Sequence, residues 1–250
     1  MNHVRFRMYG RKKLDGVWNV DYSERIHRIY KVHSGNGFCE ANKKRIPFRK
    51  GHLYFIPQMA DARLFTDPAQ PIDHTYFGFW LYSPLMLDHV IELDLEQYPL
   101  IDNVMDFFTI LFTENSSKSD SLQDIIYDQF NVLMSLLDHE LHFQYVTDSR
   151  IVQALEFIHQ NYNQQIEIEE LSNRLHLDNS YFIRLFKKYM RVSPFQYLKD
   201  YRLSMAISLL KAGNKVSDVA EMVGYSSVHA FSNAVKKNMG ISPSQLNQFY

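Results

Sequence analysis

Arg184, Lys187 and Lys188 stand together in the string FIRLFKK, and Lys236 and Lys237 close a second string, FSNAVKK, forty-nine positions later. An arginine presents a planar fork that can donate two parallel hydrogen bonds to a guanine edge, while a lysine is a point charge suited to a phosphate. Chemistry of that kind binds a polyanion and turns nothing over. Candidates for catalysis fail on spacing. The histidines of DHELHF, His139 and His142, are three apart rather than the four of a zinc-protease helix, and His33, His52 and His74 are isolated rather than paired as metal ligands. No phosphate-binding glycine loop and no nucleophile with its base is present, so we assign no catalytic residue, no metal site and no cofactor, and expect no enzyme.

Two longer strings must position those cations. Ile168 to Pro194 reads IEELSNRLHLDNSYFIRLFKKYMRVSP, and Val216 to Pro243 reads VSDVAEMVGYSSVHAFSNAVKKNMGISP. Ile168, Leu171, Ser172 and Leu175 align with Val216, Val219, Ala220 and Val223 at an offset of 48. Phe182, Arg184, Lys187, Lys188, Ser193 and Pro194 align with Phe231, Asn233, Lys236, Lys237, Ser242 and Pro243 at 49, so the second turn is one residue longer. Each copy predicts a short helix with a small residue at a close approach, a tight turn, and a longer helix with Asp or Ser near its start. That is a helix-turn-helix, used twice.

In such a motif the second helix enters the major groove of a duplex. The apolar side chains between Leu177 and Lys188 are expected to face inward, leaving Asn179, Ser180, Ile183, Arg184 and Lys187 outside, with Lys187 and Lys188 where phosphates would lie. The second copy offers Ser227, Val228, His229, Ser232 and Asn233, then Lys236 and Lys237. The linking helix opens at Ser193-Pro194, carries Leu198, Tyr201, Met205 and Leu209 inward, and stops at Gly213. About seventeen residues at 1.5 Å each span roughly 26 Å, short enough to hold two readers against successive major grooves about 34 Å apart.

Composition agrees with a folded, two-part chain. Of 250 residues, 46% are hydrophobic and 22% charged, which excludes disorder. The net charge of −1 divides unevenly: from Arg150 onward there are 12 Lys and Arg against 8 Asp and Glu, and before it 15 against 20. No run of eighteen apolar residues and no apolar leader is present, so a cytoplasmic protein without a membrane contact is expected. Cys39, the only cysteine, reads as an inert small side chain.

The first eighty residues read as strands: RIHRIYKV alternates, HSGNG is a turn, and GHLYFIPQ and DHTYFGFWLY are aromatic and β-branched runs. From about Ser83 the period lengthens. Leu122, Ile126, Phe130, Leu133, Leu137 and Leu141 form one stripe of a helix over about 120–142, and Ile126, Phe130, Leu133 and Leu137 are expected to pair two subunits. We place the domain boundary at 147/148, with a barrel over about 15–82 in the first domain (1–147) and an all-α domain over 148–250.

The C-terminal part, about residues 150 to 246, resembles the AraC/XylS family of bacterial transcription regulators, through VSDVAEMVGYSS, the paired FKK and VKK, and both SP dipeptides. The resemblance implies seven helices, recognition helices near 179–189 and 227–238, binding to double-stranded promoter or operator DNA, a homodimer, and contact with RNA polymerase. Four positions depart from the family pattern: Arg191 replaces glycine, Asn233 arginine, Val235 phenylalanine, and Leu246-Asn247 an aromatic-arginine pair. Without an arginine at Asn233 the first recognition helix is expected to dominate base reading.

The front half resembles that family's cupin-like effector domain more loosely, so the fold class expected is α+β: a cupin-like β-barrel, then helices, then the double helix-turn-helix domain. Alternation puts Arg28, Tyr30 and Val32 on one strand face, and His74, Tyr76, Gly78 and Trp80 on another. The resemblance turns both inward. Arg28, Tyr30, His74, Tyr76 and Trp80 would then suit a polyhydroxylated effector such as a sugar; an aromatic-filled barrel with no ligand is the alternative. A regulator controlled by abundance or a protein partner, and a cupin enzyme fused to a DNA-binding domain, remain the competing functions.

Overall fold

The computed structural model describes residues 4–14, 26–81, 83–114, 120–211, 213–239 and 242–246. Residues 15–25, on which the expected start of the barrel falls, and Asn247 lie outside them. Eight strands come first: β1 (Val4–Lys13), β2 (His27–Ser34), β3 (Gly37–Ala41), β4 (Lys44–Pro47), β5 (His52–Ile56), β6 (Ala62–Thr66), β7 (Asp73–Leu81) and β8 (Ile91–Asp94). They form two antiparallel sheets, ordered β1-β7-β2-β5-β8 and β4-β3-β6. Between the sheets lies an apolar layer of Tyr30, Val32, Tyr54 and Ile56 from the larger and Cys39, Ala41, Ala62 and Leu64 from the smaller. Strand β1 precedes the span expected for the barrel yet forms an edge of the larger sheet. Strand β8 lies inside the region read as helical after Ser83; four residues are too few to show a period.

The opposite face of the larger sheet is covered by α1 (Pro99–Glu114) and α2 (Asp120–Leu141). Lys31, on β2, reaches Asp102 and Asp106 of α1 at 2.5 Å each, so a buried cation fixes that helix on the sheet. Here the structure corrects the expected subunit contact. Phe130, Leu133 and Leu137 are 0% exposed and Ile126 5%, all within one core cluster of this chain. The Phe130 ring lies 4.8 Å from each of Phe6, Phe77 and Phe79. The stripe is one face of a helix, as its period requires, and it covers an aromatic sheet face of the same chain.

Seven helices follow among the described residues: α3 (Ser149–Asn161), α4 (Ile168–Arg174), α5 (Asn179–Met190), α6 (Pro194–Lys211), α7 (Val216–Met222), α8 (Val228–Met239) and α9 (Pro243–Leu246). One core gathers α3, α4, α5 and the start of α6 around Leu155, Phe182, Phe186 and Leu198; a second gathers the rest of α6 with α7 and α8 around Ile207, Val219, Phe231 and Val235. Met205 and Leu209, expected inside, are half-buried, and Leu203, Ala206, Ile207 and Leu210 take the inner places. A helix serving two cores must be apolar on two sides, which blurs its single-stripe signal.

Three buried histidines make a prediction. Burial pushes His27 and His159 down to about 3 and His74 to about 4. Each is therefore neutral in the folded chain, while the unfolded chain takes a proton near pH 6.5. Their contribution is complete above that value and is lost as pH falls from about 6.5, down to about 4 for His74 and about 3 for His27 and His159. At pH 5 each should cost about 1–2 kcal/mol. The urea midpoint should drop clearly between pH 7 and pH 5; an unchanged midpoint would contradict the burial of these rings.

Candidate nucleic-acid interface

The two helix-turn-helix units repeat each other bond by bond. The Leu177 amide donates to the Ser172 carbonyl at 2.9 Å, and forty-eight residues on the Tyr225 amide donates to Ala220 at 2.9 Å. His176 and Gly224 occupy the same left-handed turn position, at φ 54° and 80°. Glycine is required at the second, because a Cβ there would stand 2.8 Å from the Asn163 carbonyl oxygen. Past the turn the offset becomes 49: the Asp178 carboxylate accepts from the Tyr181 amide at 2.9 Å, and the Ser227 hydroxyl from the Ala230 amide at 3.1 Å. Both are N-caps. The SP dipeptides also match, Ser193 capping α6 and Ser242 capping α9, with proline in the first turn of each helix.

These caps orient α5 and α8. Phe182, Leu185, Phe186 and Met190 of α5 are buried, which turns Asn179, Ser180, Arg184, Lys187 and Lys188 outward with Ile183 at the margin. On α8, burial of Phe231 and Val235 leaves Val228, His229, Asn233, Lys236 and Lys237 exposed and Ser232 half-buried, with Ser227 exposed at the cap. Eleven of the thirteen residues singled out from sequence are thus exposed along α5, α8 and the α8 cap, while Ile183 and Ser232 are half-buried. Asn233 donates to His229 Nε2 at 3.1 Å, so its amide is tied along α8 rather than extended as an arginine would be. Helix α5 ends at Arg191 in a left-handed conformation, φ 61°. Its place at that strained position explains why glycine is the pattern residue there.

Helical period within α5 carries no information on what surrounds it. Tyr181, 39% exposed, lies under the Arg150 guanidinium, which is held by Asp148 through two bonds of 2.9 and 2.8 Å. The Asp148 carboxyl is consequently pulled below its ordinary range, first by that arginine.

Four of the five proposed effector residues meet between the sheets. The Tyr30 ring is 5.3 Å from His74, and His74 5.4 Å from Tyr76. Arg28 is 4% exposed, and its charge reaches Cys39 across the layer, where burial raises the thiol to about 12. Trp80 departs. Beyond Gly78 strand β7 outruns the smaller sheet, and Trp80 packs on Tyr201 of α6 at 4.7 Å, beside Ile26. It belongs to the seam between the two halves, as do Arg5 and Arg7, which carried no periodic signal.

Paired helix-turn-helix units braced by one helix, behind an antiparallel-sheet domain, define a two-domain architecture of DNA-binding type. Residues 171–248 match the family described as a helix-turn-helix domain, and this segment is of the AraC type. Its relatives are AraC/XylS-like transcription regulators. The raffinose operon transcriptional regulatory protein RafR of Pediococcus pentosaceus is 25% identical over 228 residues, covering 86% of this chain and 82% of that one. The Msm operon regulatory protein of Streptococcus mutans is 20% identical over 260 aligned residues, covering 96% and 91%. Among solved structures, ToxT from Vibrio cholerae shares the fold over 98% of both chains, with a TM-score of 0.67 at 14% identity. No helix among the described residues is long and apolar enough to cross a membrane.

Proposed function

We propose that this protein is a sequence-specific DNA-binding transcription regulator, divided at 147/148 into a sensing half and a DNA-reading half. The observation that carries the reading is the bond-for-bond repetition of two helix-turn-helix units on one rigid helix. Arg184 reads a base edge from α5; Lys187, Lys236 and Lys237 meet phosphates; α8 supplies weaker base contacts because Asn233 is short and tied to His229. The sensing half takes a small effector in the layer of Arg28, Tyr30, His74 and Tyr76, and the raffinose operon named for one relative favours a carbohydrate. The close mutual packing of that layer favours a second reading, a regulator set by abundance or a protein partner. Bound at a promoter, the protein contacts RNA polymerase.

The subunits pair through the other side of α2. Leu122, Ile125, Gln129, Val132 and Leu136 recur at steps of three and four, with Ile125 and Val132 each 44% exposed. That spacing is the one a coiled-coil seam uses, with a polar residue at its centre to set register, although Leu136 also packs on this chain's own core. An apolar groove of about 480 Å³ runs beside it, lined by Val132, Leu136 and Tyr145.

Genome-wide footprints, taken with and without candidate sugars, test the reading. Discrete promoter sites are expected, with occupancy shifting for at least one sugar. Footprints that ignore every sugar would leave the regulator and remove the effector; purified protein indifferent to all promoter fragments would remove both.

A further inference from the structure

The two helices α5 and α8 are built alike and present different hydrogen-bonding chemistry. Arg184 and Asn233 are each the sixth residue of their helix, equivalent at the offset of 49; both are exposed, two residues after a buried phenylalanine, Phe182 or Phe231. An arginine fork carries donors alone, which match the two acceptors, N7 and O6, that guanine shows in the major groove. A carboxamide carries an acceptor and donors together, which match the amino group and N7 of adenine. Set against guanine, its Oδ1 would meet O6, acceptor on acceptor, and leave both without a partner. No arginine occurs between Val228 and Met239, so the outer side of α8 has no guanidinium fork to offer.

The amide of Asn233 is also held in place. Its Nδ2 donates to His229 Nε2 at 3.1 Å, one helical turn back. A ring nitrogen that accepts is unprotonated, so His229 carries its hydrogen on Nδ1. The bond consumes one amide hydrogen and leaves Oδ1 and the second hydrogen for a base edge. A bidentate contact with adenine needs that pair of groups. Ordering a side chain costs free energy on binding, and an amide already tied along the helix has less freedom to lose. Val228, the first residue of α8, is 44% exposed. An apolar side chain there makes no hydrogen bond and suits the methyl group of a thymine.

We propose that α8 reads an A·T half-site, with Asn233 specifying adenine, Val228 meeting a thymine methyl, and His229 acting as the positioning residue for Asn233. The inference rests on the reading of α5 and α8 as the DNA-contacting helices, and it makes the operator chemically asymmetric. Arg184 takes a guanine in one half-site and Asn233 an adenine in the other, about one turn of the duplex away.

The test selects bound duplexes with the full chain from a pool randomised over about thirty base pairs, room for two half-sites one turn apart. Wild type is expected to enrich a guanine half-site and an A·T half-site; Arg184→Ala, which relaxes the guanine, identifies the one under α5. Asn233→Arg should exchange adenine for guanine at one position of the other half-site and leave the first unaltered. In titrations, replacing that A·T pair by G·C should weaken wild type roughly 5- to 30-fold and should not weaken Asn233→Arg. His229→Ala should lower the adenine preference about 3-fold, and His229→Gln, whose amide oxygen also accepts from Asn233, should restore it. Equal preference in His229→Ala and wild type overturns the positioning role. Identical selected bases for wild type and Asn233→Arg overturn Asn233 as a reader. Enrichment of the α5 half-site alone keeps the DNA reading and overturns this inference, whereas a wild type that enriches no sequence removes the DNA reading itself.

Discussion

Arg184→Ala is expected to lose about 1–3 kcal/mol of affinity for the specific operator, because a bidentate contact to one base edge disappears with the fork. Arg184 is exposed on α5, six residues beyond the Asp178 cap and about one turn before Lys187, while the buried face that holds the helix is Phe182, Leu185 and Phe186. The fold should therefore survive, with thermal stability within about 0.5 kcal/mol of wild type. Specific and non-specific binding should separate: operator affinity falls sharply while affinity for mixed-sequence DNA falls little. A titration against both duplexes at one salt concentration checks this. Unchanged operator affinity in a folded variant would remove Arg184 as the base reader and hand that role to α8.

The largest expected effect on stability is at Leu133. The side chain is 0% exposed against the aromatic face of the larger sheet. Leu133→Asp buries an unpaired carboxylate and deletes core volume together, which should cost about 4 kcal/mol or more. The sensing half should unfold, seen as loss of its near-ultraviolet aromatic signal. Val132→Asp, one residue earlier and 44% exposed, should leave the fold intact and split the dimer, since two carboxylates would then meet in one seam. Sedimentation of the two variants separates the cases. A folded, monomeric Leu133→Asp would restore the original pairing stripe, and a dimeric Val132→Asp would remove the seam proposed in its place.

These two neighbours show how far sequence reasoning reaches. Period places Leu133 on an apolar stripe, and that much is correct. Whether the stripe meets a sheet of the same chain or a helix of another is not a property of α2 at all. It depends on Phe6, Phe77 and Phe79 arriving underneath from distant strands. Trp80 makes the same point. Alternation assigns its strand face reliably, but where the smaller sheet ends, and what covers β7 past Gly78, depends on packing with α6.

The sequence by itself determined the two helix-turn-helix units, their caps, the extra residue in the second turn and the outward sides of α5 and α8. Those are local matters: a cap, a turn and a helix period are encoded within a dozen residues, and duplication states them twice. Only the tertiary structure decided which face of α2 is core, that Trp80 serves the seam, and that a bulge in β1 turns Arg7 onto the Ser204 and Ser208 hydroxyls of α6. Each of these depends on surfaces more than fifty residues apart in the chain meeting or failing to meet, and no periodicity in one segment carries information about the segment that will cover it.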